Sequence, residues 1–245
     1  MIVDSTFEKS NILKALQSGN LTVQGQFMES SNYTFLGKII FQERSWSVVY
    51  KPQKGETPLW DFPLGPLCKR EAAAFMISEW LGWDLVPPTV FRSNGPLGRG
   101  SVQLFVDNNP ERHYFSFNEK TKERLRPAAV FDLVINNGDR KGSHILLDDH
   151  DHLWLIDHGV CFHEEDKLRT VIWDFAGQPI REVLLNDLQR IIAKITTDKA
   201  SQKEIKQYLS IAELNAMQSR ILRLIQLKTY PYPEKNRRVF PWPPL

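Results

Sequence analysis

A hairpin motif at residues 138–159 constrains the fold of this chain more than any other feature. Its sequence, GDRKGSHILLDDHDHLWLIDHG, reads as a short loop, a strand, a tight polar turn, a second strand and an Asp-x-Gly. Asp139 precedes the first strand, and Asp157 follows the second. Because a hairpin folds its two strands back on each other, we predict that the two carboxylates lie close together in space.

The order of these acids is typical of phosphoryl transfer. Protein kinases carry a catalytic-loop aspartate, a metal ligand five residues later, a hairpin, and then a metal-binding aspartate before a glycine. The corresponding residues here are Asp139, His144 and Asp157. Asp139 would align the attacking hydroxyl, and Lys141 could contact the transferred phosphate. The motif therefore predicts an ATP-dependent phosphotransferase.

His144 stands where kinases usually have an asparagine. Imidazole binds Mg²⁺ or Mn²⁺ less readily than an oxygen ligand does. If His144 is a metal ligand, its neutral ring must coordinate, so metal binding should weaken as the pH falls through about 6.5. Asp157 ends an apolar strand, where an acid is costly unless it is paired or bound to metal, and we expect it to bind metal.

A lysine and a glutamate upstream complete the expected nucleotide site. Lys51 ends the third predicted strand, and Glu71 lies beside the apolar face of the next predicted helix, so that it can turn inward and pair with Lys51. Kinases hold their nucleotide lysine with such a pair. Glu79 and Lys54 are the weaker alternatives for these two roles.

The first hairpin turn, MESSN at residues 28–32, is the candidate phosphate lid. It lacks the glycines of a protein-kinase lid, but Ser30 and Ser31 offer backbone N–H groups and hydroxyls. An ordinary polar hairpin turn explains the same residues equally well.

The pattern of apolar residues and breakers predicts a β-rich first half and a mainly helical second half. Strands are expected at 21–27, 33–41, 45–52, 86–92 and 101–107, and helices at 8–17, 67–81, 126–137, 181–195 and 210–227. Proline-rich residues 230–245 are expected to be extended. The fold class is α+β: one bilobal protein-kinase-like domain with a small β-rich N-lobe (1–106) and a mainly helical C-lobe (107–245).

Composition narrows the cellular setting. The 31 lysines and arginines nearly balance the 29 aspartates and glutamates, which gives no support for a nucleic-acid partner. No apolar run is long enough to span a bilayer, and two cysteines cannot build a disulfide framework. We expect a soluble, cytoplasmic protein without a transmembrane segment.

The chain resembles the phosphatidylinositol 3-/4-kinase-like branch of atypical kinases, especially its small bacterial members, which are also related to HipA-type kinases. The resemblance rests on Gly138-Asp139-Arg140 and on Asp157-His158-Gly159, which match the Gly-Asp-Arg and Asp-Phe-Gly of that branch. It implies that Lys51 is the ATP lysine, that Glu71 is its helix partner and that the hinge beside the nucleotide includes Gln103, Phe105 and Val106.

The implied activity is binding of Mg- or Mn-ATP in the cleft between the lobes and transfer of the γ-phosphate to an unknown hydroxyl. A protein or small-molecule acceptor is favoured over a lipid, because the segment after Asp157 has no dense basic cluster. Two alternatives remain open: a pseudokinase that acts as a nucleotide-binding regulatory module, and an AMP transferase on the same fold.

Overall fold

The computed structural model describes residues 5–28, 32–57 and 66–245, with side chains from residue 8 onward. In the first half of the chain, two helices accompany an antiparallel five-stranded sheet with the strand order β1-β2-β3-β5-β4. These elements are α1 (Ser5–Ser18), β1 (Asn20–Gln26), β2 (Phe35–Phe41), β3 (Arg44–Pro52), α2 (Leu67–Leu81), β4 (Thr89–Arg92) and β5 (Gly100–Leu104).

Strand β3 lies in the middle of this sheet, paired with β2 on one side and β5 on the other. Val48 and Tyr50 are buried in a small core that also contains Leu16 of α1. Because side chains alternate along a strand, Lys51 points to the opposite face from Val48 and Tyr50. The strand thereby fixes the direction of the lysine.

Helix α2 connects the sheet to the second half of the molecule. It begins after Pro66 and ends at Gly82, whose φ of 73° provides the left-handed C-terminal cap. Ala73, Phe75 and Ile77 belong to the large hydrophobic core of the helical half. Helix α2, which belongs to the expected N-lobe (1–106), therefore packs into the core of the helical half. The boundary between the lobes at residue 106 stays a prediction.

The second half contains the predicted hairpin and most of the remaining helices. Its elements are α3 (Glu119–Glu123), α4 (Arg126–Ile135), β6 (Ile145–Leu147), β7 (Leu153–Leu155), α5 (Glu182–Thr197), α6 (Lys199–Ile205) and α7 (Ile211–Leu227). Helix α7 begins with a capping box, in which the Ser210 hydroxyl accepts a hydrogen bond from the Glu213 N–H and the Glu213 carboxylate accepts one from the Ser210 N–H.

The main difference from the sequence-based expectations lies at the end of α4. The helix predicted to reach residue 137 ends at Ile135, because Asn136 adopts a left-handed backbone with φ 53°. The Asn136 side chain then bonds to the backbone carbonyls of His163 and Glu165 instead of continuing the helix.

The lid residues Ser30 and Ser31 lie outside the described residues. Among the helices that are described, none is long and apolar enough to cross a lipid bilayer.

Candidate active site

Lys51 bridges two carboxylates from distant parts of the chain. Its Nζ lies 2.5 Å from Oε1 of Glu71 in α2 and 3.0 Å from Oδ1 of Asp157, two residues after β7. Burial alone would lower the pKa of Lys51, but Asp157 and Glu71 outweigh it, and the pKa is raised. The lysine is therefore a fixed cation at neutral pH.

The two weaker alternatives lie elsewhere. The Glu79 carboxylate pairs with Lys9, with 2.6 Å between Nζ and Oε1. Lys54 is exposed to solvent three residues beyond Lys51. The expected pairing of Lys51 with Glu71 is thus the one that the fold forms.

Glu71 also fixes the chain just after Asp157. Its second oxygen, Oε2, accepts a hydrogen bond of 2.9 Å from the backbone N–H of His158. Asp157 itself has a left-handed φ of 59°, a conformation that aspartate tolerates better than most residues. One buried carboxylate therefore holds both the lysine and the turn that carries Asp157.

The Asp157 side chain is 47% exposed, whereas that of Glu71 is only 4% exposed. Burial works to raise the pKa of Asp157, but Lys51 and His144 outweigh it and hold the pKa well below its usual value. Asp157 is thus an ionised, accessible carboxylate at the edge of the cluster.

The predicted hairpin brings His144, from the loop before β6, to the same place. Strands β6 and β7 pair antiparallel from Ile145–Leu155 to Leu147–Leu153. This pairing places Nε2 of His144 3.6 Å from Oδ2 of Asp157. The predicted closeness of the Asp139 and Asp157 carboxylates is seen in their electrostatics, because the charge of Asp157 helps to raise the pKa of Asp139.

Asp139 and Lys141 lie side by side in this loop, with 3.6 Å between Oδ2 and Nζ. The Asp139 N–H donates to Oδ1 of Asn137, which fixes the backbone at this position. Burial raises the pKa of Asp139 to about 6, although Lys141 lowers it in part. Asp139 is therefore a stronger base than an ordinary aspartate, and it is mostly ionised at pH 7.

His144 is more deeply buried than its sequence suggests. Burial lowers its pKa to about 4, so the titration expected near pH 6.5 is wrong and the ring stays neutral over the physiological range. The Lys141 N–H donates a weak hydrogen bond of 3.4 Å to Nδ1, which places the ring proton on Nε2, facing Asp157. For Nε2 to bind a metal, the proton must move to Nδ1 and this weak bond must break.

His144 and Asp157 together form a donor set that fits a metal shared with phosphate oxygens. Mg²⁺ usually binds through one or two protein ligands, with substrate phosphates and water as the others. No group of three or more histidine, cysteine or acidic side chains that could hold a metal occurs within the described part of the chain. The arrangement suits a metal that arrives with a nucleotide rather than a protein-only metal centre.

Sequence reasoning missed the role of Arg140, which is fully buried beneath this site. Its Nε lies 3.1 Å from Oδ1 of Asp132, Nη1 donates to the carbonyl of Ile156 at 2.8 Å, and Nη2 lies 2.8 Å from Nε2 of His158. Burial keeps the pKa of His158 well below its usual value, so the neutral ring accepts from Arg140. This network ties the loop before β6 to the residues after β7. The lone Asp132 in the apolar sequence RPAAVFDLVI could have indicated this network, because a buried carboxylate requires a partner.

The expected hinge residues lie in and just after β5, an interior strand that pairs with β3 and β4. The Gln103 side chain is buried and donates to the Thr89 hydroxyl at 2.8 Å, and the Phe105 N–H donates to the Ser47 carbonyl at 3.0 Å. Neither hydrogen bond involves Val106. The assignment of these three residues to a hinge stays a prediction.

A cavity of about 40 Å³ adjoins the charged cluster, lined by Lys51, Glu71 and Asp157 together with Tyr33 and Cys68. Pockets that enclose drug-sized ligands span roughly 300–1,000 Å³. This cavity by itself is therefore smaller than a whole nucleotide.

Comparison with known proteins gives matches along most of the chain. Residues 72–216 match the family model described as phosphatidylinositol 3- and 4-kinase. The chain is 36% identical to Protein Rv2133c of Mycobacterium tuberculosis (strain ATCC 25618 / H37Rv) over 93% of each protein. It is 30% identical to phosphatidylinositol 4-kinase gamma 4 of Oryza sativa subsp. japonica, over 53% of this chain and 26% of that protein.

Among solved structures, the chain is similar to the Golgi casein kinase with Mn/ADP bound. The TM-score is 0.61 at 14% sequence identity, and the match covers 96% of this chain and 81% of the kinase. This likeness confirms the predicted α+β, bilobal kinase-like fold. The expected relation to HipA-type kinases stays a prediction.

Proposed function

The chain belongs to the phosphatidylinositol 3- and 4-kinase family, and we propose that it transfers the γ-phosphate of ATP, bound with Mg²⁺ or Mn²⁺, to a hydroxyl acceptor. Its family and fold make it a kinase-like phosphotransferase of the atypical kinase type. The proposed metal, acceptor and residue roles rest on the geometry of the charged cluster.

One observation carries the proposal: the Lys51 ammonium joins Glu71 of the N-terminal half to Asp157 of the C-terminal half. Phosphoryl transfer depends mainly on positioning and on neutralising phosphate charge. Because the Lys51 ammonium is charged at neutral pH and already held from two sides, it loses little further side-chain entropy when it binds phosphate oxygens. Glu71 keeps Lys51 in place when Asp157 turns to other partners.

Asp157 and His144 are the residues that would hold the metal. When bound, the metal supplies positive charge to the phosphate oxygens as the leaving group departs. Asp157 suits this role because it is ionised and accessible. His144 suits it because its ring is neutral.

Asp139 is the residue that would orient the acceptor hydroxyl. Its carboxylate would accept the hydrogen bond of that hydroxyl and take the proton as the hydroxyl oxygen bonds to the γ-phosphorus and the bond from ADP to that phosphorus breaks. With a pKa of about 6, Asp139 is ionised at pH 7 and still basic enough to assist. Lys141 lies beside Asp139 and can contact the phosphate during transfer.

Charge and cysteine chemistry support the proposed acceptor and location. The segment after Asp157 mixes acids with bases, as in Glu165 paired with Lys167, so it lacks the dense positive charge that an inositol lipid attracts. We therefore propose a protein or small-molecule acceptor. We propose a cytoplasmic location because that compartment supplies ATP and because Cys68 and Cys161 are free thiols.

Labelled ATP tests the proposal. Purified protein is incubated with Mg²⁺ or Mn²⁺ and ATP carrying label at the γ or the α position, beside the variant Asp139→Asn. Transfer or hydrolysis of the γ label by wild type but not by Asp139→Asn supports the proposal. Transfer of the α label assigns AMP transfer instead. Binding without turnover under every condition assigns a regulatory nucleotide-binding module, and absence of binding overturns the nucleotide site.

A further inference from the structure

A second cavity, of about 200 Å³, lies in the C-terminal half and shares no lining residue with the Lys51 cluster. Its walls come from the C-terminal end of α4, the segment 166–173, helix α7 and residues 231–237. Three arginines line it: Arg220, Arg223 and Arg237. The mechanism proposed above uses none of them.

Arg220 is a buried cation that shares the negative charge of Asp166 with Arg223. Its side chain is anchored by Nε donating to the Val134 carbonyl at 3.1 Å and by Nη1 donating to the His163 carbonyl at 3.2 Å. Its Nη2 is buried without a hydrogen-bond partner, and no carboxylate in the described parts of the chain forms an ion pair with it. Burial lowers the pKa of Arg220 to about 10, so it remains charged at neutral pH.

Such an arrangement is costly unless an anion completes it. Removing a charge from water is unfavourable unless opposite charge compensates it fully, and Asp166 is shared with Arg223. The two other arginines are already matched with acids: Arg223 lies 3.6 Å from Asp166, and Arg237 lies 3.1 Å from Glu234. The three arginines and two acids of the lining therefore leave an excess of one positive charge, which Arg220 and Arg223 share around Asp166.

The remaining walls are apolar and aromatic. Leu168, Trp173, Leu227 and Tyr232 line the cavity beside the arginines. A ligand that uses the whole volume therefore carries an anionic group for the guanidinium groups and a carbon portion for these side chains. Guanidinium groups bind phosphate oxygens through paired N–H donors, which gives both strength and direction.

We propose that this cavity binds a phosphate monoester, with its phosphate beside Arg220 and Arg223 and its carbon portion against Trp173 and Tyr232. The volume admits a phosphate with a substituent about as large as one aromatic ring. The proposal is independent of the nucleotide site and of the chemistry assigned to it.

Occupancy of this cavity would act on the segment that follows Asp157. Arg220 holds the His163 carbonyl, and the Arg237 Nη1 donates to the Asp166 carbonyl at 2.6 Å. The Asn136 side chain, just after α4, donates to the same His163 carbonyl. A ligand that engages these arginines would stiffen residues 163–168, which lie in the position where kinases meet their acceptor.

Phosphate itself and phenyl phosphate are suitable probes. Binding is measured by isothermal titration and by the shift in Tm, with sodium chloride adjusted to keep the ionic strength constant. We expect both probes to bind and phenyl phosphate to bind more tightly, because it also buries its ring. Arg223→Gln should lower the affinity about tenfold, because it removes a charged hydrogen-bond donor. Arg220→Lys, which keeps the charge but loses the fork, should also weaken binding.

Two control variants distinguish binding in this cavity from binding elsewhere on the protein. Arg238→Gln removes an exposed arginine outside the cavity, whose Nε donates to the Phe240 carbonyl, and should leave affinity unchanged. Lys54→Met removes an exposed lysine that lines neither cavity and should also leave it unchanged. Equal losses in Arg238→Gln and Arg223→Gln, or no binding by wild type, would each overturn the proposal. None of these results bears on whether ATP binds at Lys51.

Discussion

Replacing Lys51 by methionine should destabilise the fold in a way that depends strongly on pH. The substitution removes the cation from Glu71, which is 4% exposed, while Asp157 is 47% exposed and can be hydrated. A buried carboxylate that loses its partner takes up a proton rather than remain charged. In the unfolded chain, the same carboxyl is ionised at pH 7. The variant therefore has to hold a neutral Glu71 in its folded state.

The cost follows from this protonation. Keeping a carboxyl with an ordinary pKa of 4.5 neutral costs about 1.4 kcal/mol for each pH unit above that value. The loss of unfolding free energy should therefore be up to about 3.4 kcal/mol at pH 7 and about 1.4 kcal/mol at pH 5.5. These values are upper limits, because burial already raises the pKa of Glu71 in the wild type, although Lys51 lowers it in part. The sign is fixed, because the folded variant binds a proton that the unfolded chain releases as the pH rises.

Urea unfolding followed by tryptophan fluorescence at pH 5.5 and 7.0 measures this difference. Lys54→Met, a change at an exposed lysine nearby, is the matched control and should stay within about 0.5 kcal/mol of wild type. A loss in Lys51→Met that is the same at both pH values would refute the protonation of Glu71. A loss no larger than that of Lys54→Met would show that the pair does not hold α2 against β3.

Three further substitutions test the rest of the site. Asp139→Asn should keep nucleotide binding and lose turnover of labelled ATP. Wild-type kcat/KM should fall as the pH drops below about 6, because the Asp139 carboxylate is then protonated. A flat pH profile of kcat/KM from about pH 5 to 8 would count against Asp139 as the base. His144→Ala should weaken Mg-ATP binding in isothermal titration while His144→Asn retains it, and wild-type binding should show no step near pH 6.5, because the pKa of His144 is about 4; equal affinities of His144→Ala and wild type would remove His144 from the metal site. Arg140→Met should lower the unfolding free energy by about 3–5 kcal/mol, because it leaves Asp132 buried without its partner; a loss under about 1 kcal/mol in urea unfolding would show that Asp132 is satisfied without Arg140.

Local patterns were sufficient for the parts of the site that lie on regular elements. The position of Lys51 at the end of β3 and of Glu71 beside the apolar face of α2 indicated that the two side chains could meet, and the fold brings them to 2.5 Å. The polar turn between two short apolar strands indicated the hairpin that places His144 near Asp157. In both cases, one element fixes the direction of the side chain, so the spacing in the sequence carries the geometry.

Long-range contacts of irregular segments could not be read in the same way. The proline-rich C-terminal segment was expected to be extended, but its sequence does not say that the Val239 carbonyl accepts from the Thr170 N–H or that the Pro244 carbonyl accepts from the Gly142 N–H. An extended segment has no repeating apolar face that would indicate its neighbours. The titration of His144 was misjudged for a related reason, because burial depends on the packing of several segments around the ring.

The most direct test of the central claim is a titration of ATP into wild type and Asp157→Asn, with and without Mg²⁺ or Mn²⁺, by isothermal calorimetry. Asp157→Asn keeps the size of the side chain while removing the charge that meets Lys51 and that we propose binds the metal. Asp151→Asn, at the exposed turn of the same hairpin, is the matched control. We predict that wild type and Asp151→Asn bind ATP more tightly with metal than without it, and that Asp157→Asn loses this difference. Equal metal dependence in all three proteins would contradict the assignment of Asp157 to a metal–nucleotide site.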